Sequence, residues 1–444
     1  MLQSSTIKTV RIVEKILERL SGHHLLLYRK NSDGDTALHI AARLGLEDIV
    51  RVLIESAKGD FCLKRLTRKV NRESDSALHD AARNGHLGVV RLLIQEDRKL
   101  ALLTNSAGES PLFLALERNY FDITRELLDS TEKCSLAGRR GMNALHLAVI
   151  YLHEGLVSDM IRKYSSALVE QDNLGWTCLH YAARYGVEEV VVLFLENDKS
   201  CSYIRDKEGL SAFHIATKQG EVEIIRQIMT FCPDISELLT CNGQNALHVA
   251  VKTRKENAVE YLLTTLGSNG FLNKQDEDGN TLFHLAAIIE DYEILELIIY
   301  MVRRMVLNNE KVNQNVMNKD GLTVMDIIQS CNTLEDSRKE GIISELRGVD
   351  CVPGLKRQLI ERNTQLQNVE KIKGVPQPQL ENKLVEESKS TNLLTKLFFQ
   401  PFINPRHTKR AAEVDIVLAT LIAAITFAAA TKAAVITPPV GCQS

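Results

Sequence analysis

An excess of charge of either sign is what this sequence lacks first: 54 Lys and Arg stand against 57 Asp and Glu, for a formal net charge of −3. No long Lys/Arg tract occurs either, so nothing points to nucleic acid as a partner. The nine cysteines fall without pairing rhythm and no CxxC is present. That excludes a disulfide framework and reads as a reduced, intracellular chain. The N-terminus has no apolar stretch after a basic start, so no cleavable signal peptide is expected. No HExxH, phosphate-binding glycine loop, GxSxG or kinase signature occurs, and an enzyme is not expected. Tryptophan occurs once, at Trp176.

What the chain has instead is a repeated phrase. GWTCLHYAARYG at Gly175 returns as GDTALHIAARLG at Gly34, SDSALHDAARNG at Ser74, GESPLFLALERN at Gly108 and GMNALHLAVIYL at Gly141. GLSAFHIATKQG, GQNALHVAVKTR and GNTLFHLAAIIE follow at Gly209, Gly243 and Gly279, with a degenerate GLTVMDII at Gly321, which makes nine copies. The markers His79, Phe113, His146, His180, His214 and His248 are 34, 33, 34, 34 and 34 residues apart. A fixed period of this size marks a stacked-repeat solenoid. The phrase resembles ankyrin repeats over roughly 300 residues. The fold class expected is therefore all-α, an ankyrin-repeat solenoid of helix pairs with β-turn fingers, plus a C-terminal single transmembrane helix.

Each unit explains its own residues. Asn or Asp, two variable residues and Gly (NSDG, DNLG, DKEG, DEDG, NKDG) are turn chemistry: an acceptor side chain first, a residue tolerant of positive φ last. Thr36, Ser76, Ser110, Thr177, Ser211 and Thr281 stand where an N-cap is needed before a short Ala-rich helix. Gly45, Gly85, Gly186 and Gly220 stop that helix, and Asn119 can take the same place. Paired alanines such as Ala41-Ala42 and Ala182-Ala183 let neighbouring inner helices approach. A second, more apolar helix follows, and no unit can bury both helices alone.

Four regions are expected. Residues 1–30 form a partial repeat, since residues 7–20 carry an outer-helix pattern with no inner helix before it. Repeats occupy 31–330, with extra length around Lys58 to Arg72 and Arg303 to Gln314, placed in linkers where it costs little. Residues 331–410 read as a linker with short helices, expected at Leu334 to Leu346 and Leu355 to Ile372. Within it a polar, proline-punctuated stretch precedes the apolar LLTKLFFQPF at Leu393 to Phe402, which suits either a membrane surface or a dock on the solenoid. Residues 411–444 contain IVLATLIAAITFAAATKAAVI, residues 416–436, with Lys432 as its one charge.

That segment, as a helix, spans roughly 31 Å and matches a hydrocarbon core. Its nine strong apolar residues supply on the order of −4 kcal/mol, and Lys432 near the end can snorkel. Arg406, Lys409 and Arg410 precede it, which places the repeats on the cytoplasmic side. A buried Ala-rich helix in a soluble chain is the alternative, and with it a soluble cytosolic scaffold or decoy. DIVLATLIAAITFAAA followed by TPPVG resembles the start of the PGG domain of plant ankyrin-repeat membrane proteins of the accelerated-cell-death type. The naming motif is altered to Pro438-Pro439-Val440-Gly441, and the chain stops at Ser444. It is therefore read as truncated at both ends. The resemblance implies a membrane-anchored adaptor in defence, cell-death and stress signalling, at the plasma membrane with its repeats facing the cytoplasm.

Seven histidines (39, 79, 146, 180, 214, 248 and 284) recur at one repeat position, which points to a structural tie between turns. No metal or other cofactor is expected, and no small-molecule substrate. Binding is expected in the concave groove. Carried over from the ankyrin pattern, its lining is Arg139, Arg140, Met142, Ile150 and Tyr151 in the fourth repeat. The fifth supplies Asn173, Leu174, Trp176, Arg184 and Tyr185, and the sixth Lys207, Glu208, Leu210, Lys218 and Gln219. Trp176, Arg184 and Tyr185 are the residue types that dominate interfaces, so a protein partner is the expectation; the plain alternative is that Trp176 covers a neighbouring finger.

Overall fold

The computed structural model describes residues 27–58, 66–266, 270–307, 312–331 and 334–354. Helices come in pairs, an inner one from each conserved phrase and an outer one after it. The inner helices are α1 (Ala37–Leu44), α3 (Ala77–Asn84), α5 (Pro111–Glu117), α7 (Ala144–Ile150), α9 (Cys178–Tyr185), α11 (Ala212–Gln219), α13 (Ala246–Lys252), α15 (Leu282–Ile288) and α17 (Val324–Ser330). Their outer partners are α2 (Glu47–Lys58), α4 (Leu87–Glu96), α6 (Phe121–Ser130), α8 (Glu154–Lys163), α10 (Glu188–Asn197), α12 (Val222–Phe231), α14 (Glu256–Leu266), α16 (Tyr292–Leu307) and α18 (Asp336–Arg347). No named strand forms among the described residues. Three isolated bridges, Val70–Ser76, Ala137–Asn143 and Arg205–Ser211, close the bases of fingers.

The six expected caps all sit in extended backbone at inner-helix N-termini. Asn143, Asn245 and Thr323 complete the set. Gly45, Gly85, Gly186 and Gly220 end their helices in the left-handed region. Where glycine is absent the chain turns left-handed anyway, at Asn119, Leu152, Arg254 and Glu290, with φ between 56° and 61°. A side chain there carries strain of roughly 1–2 kcal/mol. The turn is thus imposed by docking of the outer helix rather than by the local residue.

Burial explains why no unit stands alone. Successive inner helices pack side by side, and most outer helices pack on the outer helix of the next repeat. Ala42, Ala82, Ala148 and Ala183 are fully buried where inner helices meet. Val50, Leu53 and Ile54 of α2 are buried, as are Val89, Val90, Leu93 and Ile94 of α4. Each large apolar side chain removed from water contributes about 1.5–3 kcal/mol, but here the covering surface belongs partly to a neighbour.

The fingers are Asx-turns stacked in register. Asn31, Asn71, Asn105, Asp172, Asp206, Asp276 and Asn318 each accept two backbone N–H bonds through one side-chain oxygen, from residues two and four positions on. Thr240 does the same with its hydroxyl. Adjacent fingertips are joined by a backbone bond: Arg72 N to Asp33 O at 3.1 Å, Lys207 N to Leu174 O at 3.2 Å, and Lys319 N to Asp278 O at 3.0 Å. Lys30, Gln171, Arg205 and Gln275 add side-chain bonds to the next finger's carbonyls.

One junction departs from the pattern. The third repeat has Phe113 where seven of the others have histidine, and a Cβ on Gly138 would stand 2.0 Å from its ring. The fourth finger is reshaped around that ring, with Arg140 at φ 60°. Outer-helix contact is sparse here, between α6 and α8. Phe113 cannot donate to the next finger, so the finger moves to fit an apolar neighbour.

The C-terminal end differs from the expected boundaries. The insertion placed in a linker at Arg303 to Gln314 is taken up in part by α16, which runs on to Leu307. The helix expected from Leu334 is α18, and it packs on α16 and α17 as the ninth outer helix rather than lying in a linker past residue 330. Asp326 holds the histidine's place, accepts from the Thr323 N–H and hydroxyl, and receives the Gly354 N–H at 3.1 Å. The chain itself folds back where the next finger would stand. The expected half-repeat before residue 27, the helix from Leu355, LLTKLFFQPF and the span at 416–436 lie outside the described residues. Among the described residues no helix is long and apolar enough to cross a membrane.

Finger glycines carry two demands, and one pair separates them. Gly175 and Gly321 share positive φ, 84° and 73°. A Cβ on Gly175 would stand 2.9 Å from Lys207 N of the next finger, while one on Gly321 meets nothing within 4 Å. Gly321→Ala should cost about 1 kcal/mol in urea unfolding, from backbone strain. Gly175→Ala should cost at least about 2 kcal/mol, because a finger must also move.

Candidate protein-binding groove

The recurring histidine fixes where every groove residue points. Its Nδ1 accepts the backbone N–H of the N-cap, at 3.1 Å for Ser76 and His79 and 3.1 Å for Thr177 and His180. Its Nε2 faces a backbone carbonyl at the base of the next finger: His39 to Asp75 at 3.0 Å, His79 to Glu109 at 3.2 Å and His146 to Trp176 at 3.1 Å. His180 reaches Leu210 at 3.1 Å, His248 reaches Lys274 at 3.1 Å and His284 reaches Leu322 at 3.0 Å. A carbonyl partner makes Nε2 the protonated nitrogen, so the ring is neutral with Nδ1 as acceptor. The tie expected from the spacing is this pair of bonds. His214 makes the tie more loosely: its Nε2 has no partner within hydrogen-bond geometry among the described residues, though the Leu238 backbone at the base of the next finger still acts on the ring.

Burial pushes the pKa of all seven histidines down. His79, His180 and His214 fall to about 4. With ring nitrogens committed to caps and carbonyls, the series offers no chelating set, and among the described residues no group of three or more His, Cys, Asp or Glu could hold a metal ion.

The groove residues fall into three kinds. Leu174 is exposed at 51% on its fingertip, and Arg140, Asn173, Lys207, Glu208 and Lys218 are also exposed. Met142, Ile150, Tyr151, Tyr185, Arg184 and Gln219 are half-buried. Leu210 is buried at 8%, inside the stack rather than on its surface. Arg139 pairs with Glu117 and lies 3.6 Å from Glu109; Tyr151 donates its hydroxyl to the Glu117 carbonyl at 3.1 Å.

Trp176 has an internal task. Its indole N–H donates to Asp206 Oδ2 at 3.0 Å, reaching the turn residue of the next finger. Gln244 does the same to Asp276 at 3.3 Å. The ring also lies edge-on to Tyr181 at 5.0 Å, and the Arg184 guanidinium sits over it at 5.6 Å. Trp176 covers a neighbouring finger and still leaves part of its ring and Arg184 to the groove. Burial pushes the Asp206 pKa up, against the pull of the Leu210 and Glu208 N–H groups and of Trp176.

Sequence reasoning missed the first two repeats. Arg43 bonds Asp80 at 3.1 Å and Asp35 at 2.9 Å, and Arg83 bonds Asp75 at 2.6 Å. Asp75 in turn accepts from Asn105 at 3.0 Å. Burial raises the Asp80 pKa, opposed by Arg43. Reading one repeat position down all the copies would have exposed this pairing.

Paired inner and outer helices, fingers in register and an exposed inner face define a stacked-repeat scaffold. A family model described as "Ankyrin repeats (3 copies)" matches residues 8–102, 57–137, 129–205, 156–236 and 201–270, and a second, "Ankyrin repeats (many copies)", matches 247–299. The chain belongs to the ankyrin-repeat family, and its array is a protein–protein interaction scaffold. No protein of curated function matches it. Among solved structures, it is similar to the ankyrin repeat domain of Bcl-3, "a unique member of the IkappaB protein family". Identity there is 25% over 52% of this chain and 99% of that one, with a TM-score of 0.44. A chain from the Bd0816 predatory endopeptidase of Bdellovibrio bacteriovorus in complex with immunity protein Bd3460 is 20% identical. It covers 46% of this chain and 99% of its own, with a TM-score of 0.36.

The histidine row makes stability depend on pH with a defined sign. Each ring's pKa is lower folded than unfolded, so its contribution is fully present above about 6.5 and is lost as pH falls below that, for His79, His180 and His214 toward about 4. Unfolding in that window should take up several protons. His180→Gln should lower the slope of unfolding free energy against pH by up to about one proton, measured by urea titration at stepped pH.

Proposed function

We propose that this chain is a non-enzymatic adaptor that holds a protein partner in the groove of its fourth to sixth repeats while its C-terminus tethers it to a membrane. The observation that carries the reading is the inner face itself. Leu174, Trp176, Arg184, Tyr185, Tyr151 and Lys218 present apolar, aromatic and cationic surface within one stack. Side chains of these kinds supply most of the energy in protein interfaces. A stack braced by histidine ties holds them in place before a partner arrives, which lowers the ordering cost of binding.

The tether rests on sequence. Residues 416–436 form an apolar stretch of spanning length with basic residues only before it and Lys432 near its far end. Its likeness to the start of a PGG domain supports a role beside plant regulators of defence, cell death and stress signalling, at the plasma membrane with repeats toward the cytoplasm.

Two measurements test the reading. A photo-crosslinking residue at Leu174 or Tyr185 should capture a protein partner that the same residue at Glu196, on an outer helix, does not; equal capture at both sites would remove the groove assignment. Carbonate extraction should leave the full chain in the membrane pellet and release a chain ending at Glu413. Release of both would leave a soluble scaffold.

A further inference from the structure

The third and fourth fingers are not joined as the other fingers are. Elsewhere a backbone bond links each consecutive pair of fingertips. Besides those at Arg72, Lys207 and Lys319, Ser106 N donates to Glu73 O at 2.9 Å and Asn173 N to Arg140 O at 2.9 Å. Cys241 N reaches Glu208 O at 3.3 Å, and Glu277 N reaches Asn242 O at 3.0 Å. Among the described residues no such bond runs from the fourth fingertip to the third. The space between these two fingers is also more open. A Cβ on Gly34, Gly175, Gly209 or Gly279 would meet a backbone nitrogen of the next finger at 2.8, 2.9, 2.5 and 2.8 Å. One on Gly108 would find only the Gly138 carbonyl, 3.9 Å away.

Phe113 accounts for much of this. It replaces the imidazole, and its ring lies where a side chain at position 138 would stand. The fourth finger therefore begins with Gly138, with no Asn, Asp or Thr there to accept the two amides that brace the other fingers. What joins the two repeats on this side lies at the finger base. Ser110 N, which has no imidazole acceptor, donates to Ala137 O at 2.9 Å, and Ser135 N donates to Ala101 O at 2.9 Å. On the outer side α6 and α8 meet sparsely, and every other pair of consecutive outer helices packs more closely. Long polar side chains cross that gap: Lys163 reaches the Leu128 and Thr131 carbonyls, and the Tyr164 hydroxyl accepts the Cys134 N–H at 2.8 Å. On the inner face Arg139 pairs with Glu117, and the Tyr151 hydroxyl donates to the Glu117 carbonyl at 3.1 Å.

We propose that this junction is a hinge: the first three repeats turn as one body about the base of the fourth finger, relative to the fourth to ninth. Closely packed interfaces move as units, and a hinge falls where a few loop or element-terminal residues absorb the backbone change. Here the base bonds hold an axis while no fingertip bond resists rotation about it. The fasteners away from the axis are the side chains of Lys163, Tyr164, Arg139 and Tyr151. Such side chains follow a rotation by changing rotamer, whereas a bond between two fingertip backbones or a two-ended imidazole tie does not. Arg139, Met142 and Tyr151 border the hinge on the inner face, so its angle sets how wide that face is between the third and fourth repeats.

The test is a distance measurement on the full chain, with nitroxide labels carried on genetically encoded residues so that the native cysteines stay unlabelled. Ala107, Leu174, Glu208 and Asp278 hold the same exposed fingertip position in the third, fifth, sixth and eighth fingers. The pairs 107–208 and 174–278 each span three junctions, roughly 30 Å at about 10 Å per repeat, and only the first crosses the hinge. Double electron–electron resonance should give a distance distribution at least about twofold broader for 107–208 than for 174–278. Lys163→Gln should broaden the first pair further and leave the second unchanged. Tyr164→Phe, which deletes one hydroxyl, gives the same comparison should the lysine variant fail to fold. Equal widths in the unmutated chain, a broader 174–278 pair, or equal broadening of both pairs by either variant would each overturn the hinge.

Discussion

A buried neutral imidazole that must hold its own helix and the next finger at once is the constraint on which this array depends. Nδ1 takes the N-cap amide and Nε2 reaches the base of the following finger, so one side chain joins two repeats. A buried polar atom left without a partner costs roughly 1–3 kcal/mol. The imidazole thus penalises any register in which the next finger is displaced. Its low pKa and the single fixed tautomer follow from the same geometry. So does the rigidity that a recognition face needs, since fingers and inner-helix ends are placed by the tie rather than by their own contacts.

The exceptions obey the same rule. Phe113 has no donor for the fourth finger, and that finger changes shape, admits Gly138 against the ring and turns through Arg140 at φ 60°. Asp326 meets no further finger among the described residues, and it accepts an N–H from the chain at Gly354. At both positions the chain beyond the substituted marker adjusts to the residue that replaces the imidazole.

Much of this was legible from the residues. The period, the N-caps, the glycine stops and the histidine's structural role all follow from spacing and local chemistry, because each is set within one repeat. What was not legible involved pairs of repeats. Leu152, Arg254 and Glu290 turn left-handed without looking like stops, since docking of the following outer helix decides it. The continuation of α16 and the docking of α18 were missed because the marker phrase fades before them. Trp176 read equally as an interface anchor and as a cover for a neighbouring finger, and only the structure shows its indole serving Asp206 thirty residues on. Leu210 looked exposed by register and is buried. The acids answering Arg43 and Arg83 could be seen only by reading across copies.

The two halves of the groove put one template to different uses. In the first two repeats cations and carboxylates satisfy each other, which leaves little free charge for a partner. In repeats five to seven, Trp176, Leu210 and Gln244 stand where the first two repeats keep Asp35 and Asp75, and the Arg184 guanidinium lies over the Trp176 ring. The central claim, that each repeat is held by its neighbour, is tested most directly by amide hydrogen exchange on His180→Gln. Faster exchange should appear in the sixth finger, around Asp206 to Ser211, as well as at the start of α9. Exchange that quickens only within the fifth repeat would contradict it.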